Sequence, residues 1–172
     1  LAALGFDYTH TKHGALPYGK RPVLASLYMQ KTFHKDDIET IASEIIGRLS
    51  PHDAATIIAL SGDLGAGKTT LTQAIARQLG ISENVISPTF VIQKRYPLSA
   101  AQKFDNLIHI DAYRLKNSAE LEKLGWADIA GDAKNLILIE WPERVPELIP
   151  EHAIRIELSH ATEHEREIIV YD

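Results

Sequence analysis

The sequence predicts an α/β fold in which a central mixed sheet is flanked by helices. Residues 57–79 carry the first observation, an apolar strand pattern followed by a glycine-rich loop and a helical pattern. Strand and helix patterns then alternate along the chain, which is typical of α/β domains. Two alternating patterns around a polar connection close the sequence at residues 153–171. This closing pair favours a mixed sheet over a purely parallel one.

The first half of the chain supplies two helices and a buried strand. Between residues 38 and 49 the apolar residues recur at the spacing of one helix face. Asp36 and Asp37 lie in the first turn of this helix, where the dipole stabilises carboxylates. Residues 57–60 form a continuous apolar run that predicts a buried strand. Residues 68–79 predict a second helix, which Gly80 ends.

The second half of the chain supplies five strands and a short helix. Strand patterns cover residues 90–96 and 107–113, and Pro97 ends the first of them. A short helix over residues 118–124 has Asn117 or Ser118 as its N-cap. Residues 135–141 form a second continuous apolar run, which predicts a fully buried strand. The closing strands are residues 153–159 and 167–171.

The length of 172 residues favours one domain, which we expect over residues 31–172. Residues 1–28 show no sustained period and contain three glycines and two prolines. Met29 is the only methionine and directly precedes the regular patterns. Residues 1–30 are therefore interpreted either as a poorly ordered extension or as a start assigned too early. In both cases we expect residues 1–28 to be dispensable.

Composition excludes several classes of protein. The net charge of −5 argues against a large nucleic-acid surface of the chain's own, because phosphate binding draws on clustered Lys and Arg. The absence of cysteine excludes disulfides and Cys-ligated zinc. No apolar run approaches the roughly 18 residues that predict a membrane span.

The glycine-rich loop fits the pattern G-x-x-x-x-G-K-[ST] at Gly62, Gly67, Lys68 and Thr69. Glycines let the backbone curl so that successive N–H groups surround a phosphate, and the following helix directs its N-terminus at the same anion. Lys68 can then reach the β- and γ-phosphates, and the Thr69 hydroxyl can join the ligands of Mg²⁺. The motif predicts a nucleoside triphosphate site formed by Gly62, Asp63, Leu64, Gly65, Ala66, Gly67, Lys68, Thr69 and Thr70.

Two acidic residues end apolar strand patterns, Asp111 after "LIHI" and Glu140 after "LILI". A carboxylate in such a place is costly to bury unless it meets a cation. Ligands of α/β sheets gather at the carboxyl ends of strands, so both acids are candidates for the site. The alternative is that each lies at an exposed strand end or pairs with Arg114 or Arg144.

Three further features remain open from the residues alone. The segment "SPTF" at residues 87–90 could bring the Thr89 hydroxyl to a γ-phosphate, as switch loops do, or could be an ordinary turn. Trp141 could line a site, although the core is the usual place for tryptophan. His160 and His164 lie in a polar connection and are interpreted as solvated rather than as metal ligands.

The motifs together resemble the TsaE (formerly YjeE) family. "GDLGAGKTT", "SPTF", "HIDAYRL", "ELEKLGW" and "LIEWPER" occur in that family's order and spacing, over about residues 31–172. The resemblance implies a P-loop NTPase-like fold and a cytoplasmic ATPase that binds ATP with Mg²⁺. It also implies that the protein supports threonylcarbamoyl transfer to a tRNA adenosine by its partners TsaB and TsaD. Contact with tRNA would then be only indirect, and no membrane is involved.

The resemblance also implies roles for single residues. Thr69 and Glu140 match Mg²⁺ ligands, Asp111 matches an acid needed for activity, and Lys68 completes the predicted catalytic set. Residues 87–89, with Thr89, match a switch-like loop. Trp141 matches a tryptophan beside the metal-binding glutamate. Residues 1–28 have no counterpart in the family.

Other P-loop proteins fit the sequence less well. A small-molecule kinase usually has a lid with several arginines, whereas Arg114 is the only arginine between Asp111 and Glu143. A GTPase switch would carry an N-K-x-D-like guanine reader, and an ABC-type ATPase an LSGGQ-like segment; neither occurs.

Overall fold

The structure is a computed structural model that describes residues 27–100 and 102–171. Its strands in chain order are β1 Leu27–His34, β2 Thr56–Ser61, β3 Gln93–Pro97, β4 Asn106–Asp111, β5 Asn135–Glu140, β6 Ile154–His160 and β7 Glu165–Tyr171. Its helices are α1 Ile38–Arg48, α2 Lys68–Gln78, α3 Ser118–Glu122 and α4 Trp126–Gly131. Single 3-10 turns add Lys35–Asp37, Pro142–Arg144 and Pro146–Leu148. Within the described residues, no helix has the length and apolar character needed to cross a membrane.

The strands form one seven-stranded mixed sheet in the order β1-β7-β6-β2-β5-β4-β3. The central pairs β6–β2, β2–β5 and β5–β4 are parallel. The pairs β1–β7, β7–β6 and β4–β3 are antiparallel. The predicted mixed sheet is thus confirmed, and the carboxyl ends of the four parallel strands meet at one edge.

Two hydrophobic clusters cover the two faces of the sheet. The first cluster contains α1, α2 and side chains such as Leu107 and Leu138. The second contains α3, α4 and side chains such as Ile108 and Ile137. Successive residues of a strand point to opposite faces. A strand covered on both faces must therefore be apolar throughout, which explains the continuous runs in β2 and β5.

Most predicted elements are confirmed, and three need correction. The strand predicted at residues 107–113 ends at Asp111. The strand predicted at residues 90–96 begins at Gln93, because Pro88 accepts a backbone hydrogen bond from Val91 and forms a turn. Phe90 and Val91 are consequently exposed rather than in a strand. The helix predicted at 118–124 ends at Glu122, and α4 follows it without a predicted counterpart.

Strand β1 is an edge strand that the sequence pattern does not predict. It pairs with β7 through a register that is irregular between Leu27 and Met29. Only Phe33 of its eight residues is buried, so the sequence shows no clear alternation. Residues 27–30 of the predicted extension therefore belong to the sheet, whereas residues 1–26 lie outside the described residues.

Removing β1 should destabilise the domain. A chain that begins at Lys35 loses the buried Phe33 side chain and exposes the edge of β7. Burial of a phenylalanine contributes about 1.5–3 kcal/mol, so the unfolding midpoint should fall by roughly 4–10 °C relative to a chain that begins at Leu27. A chain that begins at Met29 loses the pairing of Leu27 with Tyr171, the packing of Tyr28 on the first cluster and the Tyr28–Arg48 contact. The cation–π contact is worth about 0.5–1 kcal/mol, and this chain should melt between the other two.

Circular dichroism melts of these three chains measure the difference. Equal midpoints for the chains that begin at Leu27 and Lys35 would contradict a structural role for β1.

Candidate functional site

The glycine-rich loop leaves the carboxyl end of β2 and enters α2. Gly62 has a φ of 134°, and a Cβ added to it would lie 2.1 Å from the carbonyl oxygen of Leu158 in β6. Gly67 has a φ of 110° and occupies the N-cap position of α2. L-residues rarely adopt such angles, so glycine at both positions allows the sharp path of the loop.

The N-terminus of α2 faces this loop without a side-chain cap. The N–H groups of a helix's first turn have no partner within the helix, and the helix dipole gives this end a partial positive charge. Such an end binds anions when a loop leaves it accessible. The loop and α2 together thus provide backbone donors for an anionic group.

Lys68 adds a buried cation to the loop. Its ammonium nitrogen donates to the carbonyl oxygens of Gly62 at 2.6 Å and Asp63 at 2.9 Å. It also lies 3.8 Å from the centroid of the Trp141 ring. Burial lowers the pKa of Lys68, and the negative charges of nearby carboxylates, Glu140 foremost, oppose this shift. The side chain is thus held at the loop by contacts that a phosphate oxygen can replace.

Trp141 occupies the position directly after β5. It has a left-handed backbone with a φ of 60°, which is uncommon for a bulky residue. Its ring packs partly against the second hydrophobic cluster and lies 5.0 Å from the ring of Tyr113. Trp141 therefore has both environments that the sequence left open, since one side contacts the core and the other contacts Lys68.

Glu140 and Asp111 lie side by side at the ends of β5 and β4, as their register requires. Both are buried. The Thr69 hydroxyl donates to Glu140 Oε2 at 2.9 Å. Among the described residues neither acid pairs with an arginine: the guanidinium of Arg114 stacks over Phe90, and that of Arg144 lies 5.8 Å from the Tyr113 ring. Both alternatives from the sequence are therefore wrong. The two acids are buried, and within the described residues neither pairs with Arg114 or Arg144.

The segment at residues 87–89 binds Asp111. The hydroxyls of Ser87 and Thr89 donate to Asp111 Oδ2 at 2.6 and 2.5 Å. The backbone N–H of Tyr113 donates to Oδ1 at 3.0 Å. Asp111 is thus fully hydrogen-bonded, and the switch-like segment is attached to the site through it.

These groups surround one cavity of about 350 Å³. Its lining residues are Leu64, Gly65, Gly67, Lys68, Thr69, Thr70, Ser87, Thr89, Asp111, Tyr113, Glu140 and Trp141. Of the predicted site residues, only Gly62, Asp63 and Ala66 do not line it. Ala66 is buried beneath the loop, and the other two supply carbonyl oxygens to Lys68.

Two residues near the cavity have no specific role in the sequence-based prediction. His109, in β4, is fully buried, and its Nε2 lies 2.8 Å from Glu140 Oε1. Burial raises the pKa of Glu143, whose Oε2 forms no hydrogen bond within the described residues. The sequence signals for His109 are its place as the first residue of the "HIDAYRL" motif and its polar character inside an apolar strand pattern, two residues before a candidate acid.

The donor set fits a nucleotide with a hard divalent cation. The loop N–H groups and Lys68 suit phosphate oxygens, and the cavity lies within the usual volume range of ligand pockets. Thr69 and Glu140 offer the hydroxyl and carboxylate oxygens that Mg²⁺ prefers, and Mg²⁺ commonly takes only one or two ligands from protein.

Comparison with known proteins identifies the family of the chain. The family model described as "Threonylcarbamoyl adenosine biosynthesis protein TsaE" matches residues 32–168. The TsaE protein of Bacillus subtilis is 36% identical over 138 residues, which cover 80% of this chain and 81% of that protein. The TsaE protein of Rickettsia prowazekii is 37% identical over 125 residues, 72% of this chain and 81% of that protein.

The solved structures agree as well. The crystal structure of Bacillus subtilis YdiB matches with a TM-score of 0.68 and 28% identity, and the match covers 86% of each chain. This likeness confirms the predicted P-loop NTPase-like fold. The chain therefore belongs to the TsaE family of tRNA threonylcarbamoyladenosine biosynthesis proteins.

Proposed function

We propose that this protein is a Mg²⁺-dependent ATPase that hydrolyses ATP to ADP and phosphate and supports threonylcarbamoyl transfer to tRNA adenosine by TsaB and TsaD. One observation carries the proposal: Lys68, Thr69 and Glu140 line a single cavity at the uncapped N-terminus of α2. Its place of action is the cytoplasm. With a net charge of −5, the chain contacts tRNA only through its partners.

The phosphates of ATP bind at the loop formed by residues 62–70. The Lys68 ammonium exchanges its hydrogen bonds to Gly62 and Asp63 for oxygens of the β- and γ-phosphates. The N–H groups of the loop and of the first turn of α2 bind the remaining oxygens. Since Lys68 is already desolvated, little hydration is lost when the phosphate arrives.

Thr69 and Glu140 hold Mg²⁺ beside the phosphates. Bound Mg²⁺ neutralises the negative charge that the β- and γ-oxygens carry. The hydrogen bond between the two side chains brings their oxygens within 2.9 Å of each other. Both ligands lie at the ends of regular elements, so their positions are fixed by the fold.

Asp111 orients the water that attacks the γ-phosphorus. Its carboxylate lines the cavity beside Glu140 and is held by Ser87 and Thr89. When the γ-phosphate binds, the Thr89 hydroxyl turns from Asp111 to a phosphate oxygen, and the water takes its place on Oδ2, which still accepts from Ser87. Asp111, Glu140 and Lys68 are thus the catalytic set.

TsaB and TsaD complete this site. Among the described residues, Lys68 is the only positively charged residue that lines the cavity. Catalytic arginines are worth roughly 10³–10⁵ in rate in related enzymes and can be supplied by a partner. The chain alone should therefore hydrolyse ATP slowly.

Replacement of Lys68 by alanine should weaken ATP binding roughly tenfold to hundredfold, because hydrogen bonds to charged groups are worth about 1.5–3 kcal/mol. Thr69→Ala should retain more binding and lose Mg²⁺-dependent hydrolysis. The matched control is Lys134→Ala, which removes an exposed lysine paired with Asp105. Titration calorimetry and phosphate release measure both properties. Hydrolysis by Lys68→Ala at the parent rate would refute the site.

The two acids should differ in kinetics. Glu140→Ala removes a Mg²⁺ ligand and should raise the Mg²⁺ concentration needed for activity. Asp111→Asn should lower the maximal rate, because the carboxylate that orients the water is lost. The Mg²⁺ requirement should stay nearly unchanged, because both proposed Mg²⁺ ligands remain. The new amide oxygen can still accept from the Tyr113 N–H, which keeps the side chain in place. Mg²⁺ titrations of turnover decide between the roles, and thermal unfolding checks that both variants are folded. The reverse pattern would mean that the two roles are exchanged.

Addition of TsaB and TsaD should change the slow turnover of the chain. The measurement is phosphate release with each partner alone and with both, alongside gel filtration for a nucleotide-dependent complex. Lys68→Ala serves as the control for contaminating activity. Fast turnover that is indifferent to both partners would contradict the proposed dependence.

A further inference from the structure

His109 lies on the face of β4 that α1 and α2 cover. Its neighbours on this face are Leu107, in the same strand, and Leu138, which is its register partner in β5. All three side chains are fully buried. An apolar residue would satisfy this environment, whereas an unpaired polar group would cost about 1–3 kcal/mol. The histidine therefore needs a specific partner.

That partner is Glu140. His109 Nε2 lies 2.8 Å from Glu140 Oε1, and Nδ1 forms no hydrogen bond within the described residues. The tautomer that carries its hydrogen on Nε2 satisfies both facts, because it donates to the carboxylate and leaves only an acceptor unpaired. Among the residues that the structure describes, the contact to Glu140 is thus the single hydrogen bond of this side chain.

The two oxygens of Glu140 face different groups. Oε1 is directed to His109 beneath the sheet edge, and Oε2 accepts from Thr69 at the cavity. The Glu140 carboxylate cannot turn without breaking the hydrogen bond between Oε1 and His109 Nε2. The His109 contact therefore fixes which oxygen reaches the cavity and at what angle.

We infer that His109 is a positioning residue that orients Glu140 for Mg²⁺. The inference rests on the proposed function, since it assigns the support of the same metal site. Groups that hydrogen-bond a metal ligand typically contribute 10–100-fold to metal affinity. His109 does not line the cavity, and its hydrogen bond goes to Glu140, so it acts through that side chain.

The dissociation constant for ADP in EDTA, divided by the dissociation constant for ADP in excess Mg²⁺, tests this role. The ratio isolates the contribution of the metal from that of the phosphate loop. His109→Leu keeps the volume and removes the donor, and His109→Asn keeps an amide that is too short to reach Glu140. Both should lower the ratio roughly 10–100-fold and leave binding in EDTA unchanged.

His109→Gln should restore the parent ratio, because its amide nitrogen can reach the position of Nε2. The matched control is Leu107→Ala, which opens a cavity on the same face of β4 without removing a partner of Glu140. It should lower the unfolding temperature and leave the ratio at the parent value. A structural defect of the His109 variants would instead weaken ADP binding in both conditions.

The outcomes separate this inference from the proposed function. If the parent ratio is one, Mg²⁺ does not support nucleotide binding and the proposed metal site fails. If Glu140→Ala lowers the ratio while His109→Leu and His109→Asn keep the parent value, only the role of His109 is refuted. Failure of His109→Gln to differ from His109→Leu would also refute it, since the donor would then be irrelevant.

Discussion

The buried carboxylate of Glu140 is the constraint on which the site depends. Only 2% of this residue is exposed, and an ionised group so placed costs several kcal/mol unless its oxygens are paired. Thr69 and His109 provide that pairing from opposite sides. Thr69 can reach Glu140 because α2 begins directly after the loop. His109 can reach Glu140 because β4 and β5 are parallel neighbours in the sheet. One side chain thus connects the loop, a helix and two central strands.

The loop is fixed on its other side by β6. The carbonyl oxygen of Leu158 lies where a side chain at Gly62 would begin, so the loop backbone packs directly on that strand. β6 pairs in parallel with β2 and antiparallel with β7. The two parts of the mixed sheet therefore have different tasks. The parallel strands β4 and β5 carry the acids, and the antiparallel strands stabilise the support beneath the loop.

The central strands and the phosphate-binding loop can be predicted from sequence because their surroundings restrict the residue types strongly. A strand buried on both faces must be apolar, and the loop needs glycines at fixed positions. The edge strand β1 is restricted only at Phe33 and shows no period. Phe90 is a residue type that favours strands, but it lies in the turn that begins at Pro88, before β3 starts at Gln93. Its side chain is therefore 84% exposed. The contact of His109 with Glu140 cannot be predicted from the sequence, because it depends on the register of β4 against β5.

Glu140 and Asp111 have similar sequence contexts but differ in what holds them. Glu140 is bound by side chains of α2 and β4, which are regular elements packed in the core. Asp111 is bound by two hydroxyls on residues 87–89, a segment followed by the exposed Phe90 and Val91. Any contact that moves this segment must break the Asp111 hydrogen bonds, whereas the Thr69–Glu140 pair can remain. In the proposed ATPase, a partner that acts on residues 87–91 would therefore change turnover through Asp111 and Thr89, while the Mg²⁺ ligands Thr69 and Glu140 stay in place.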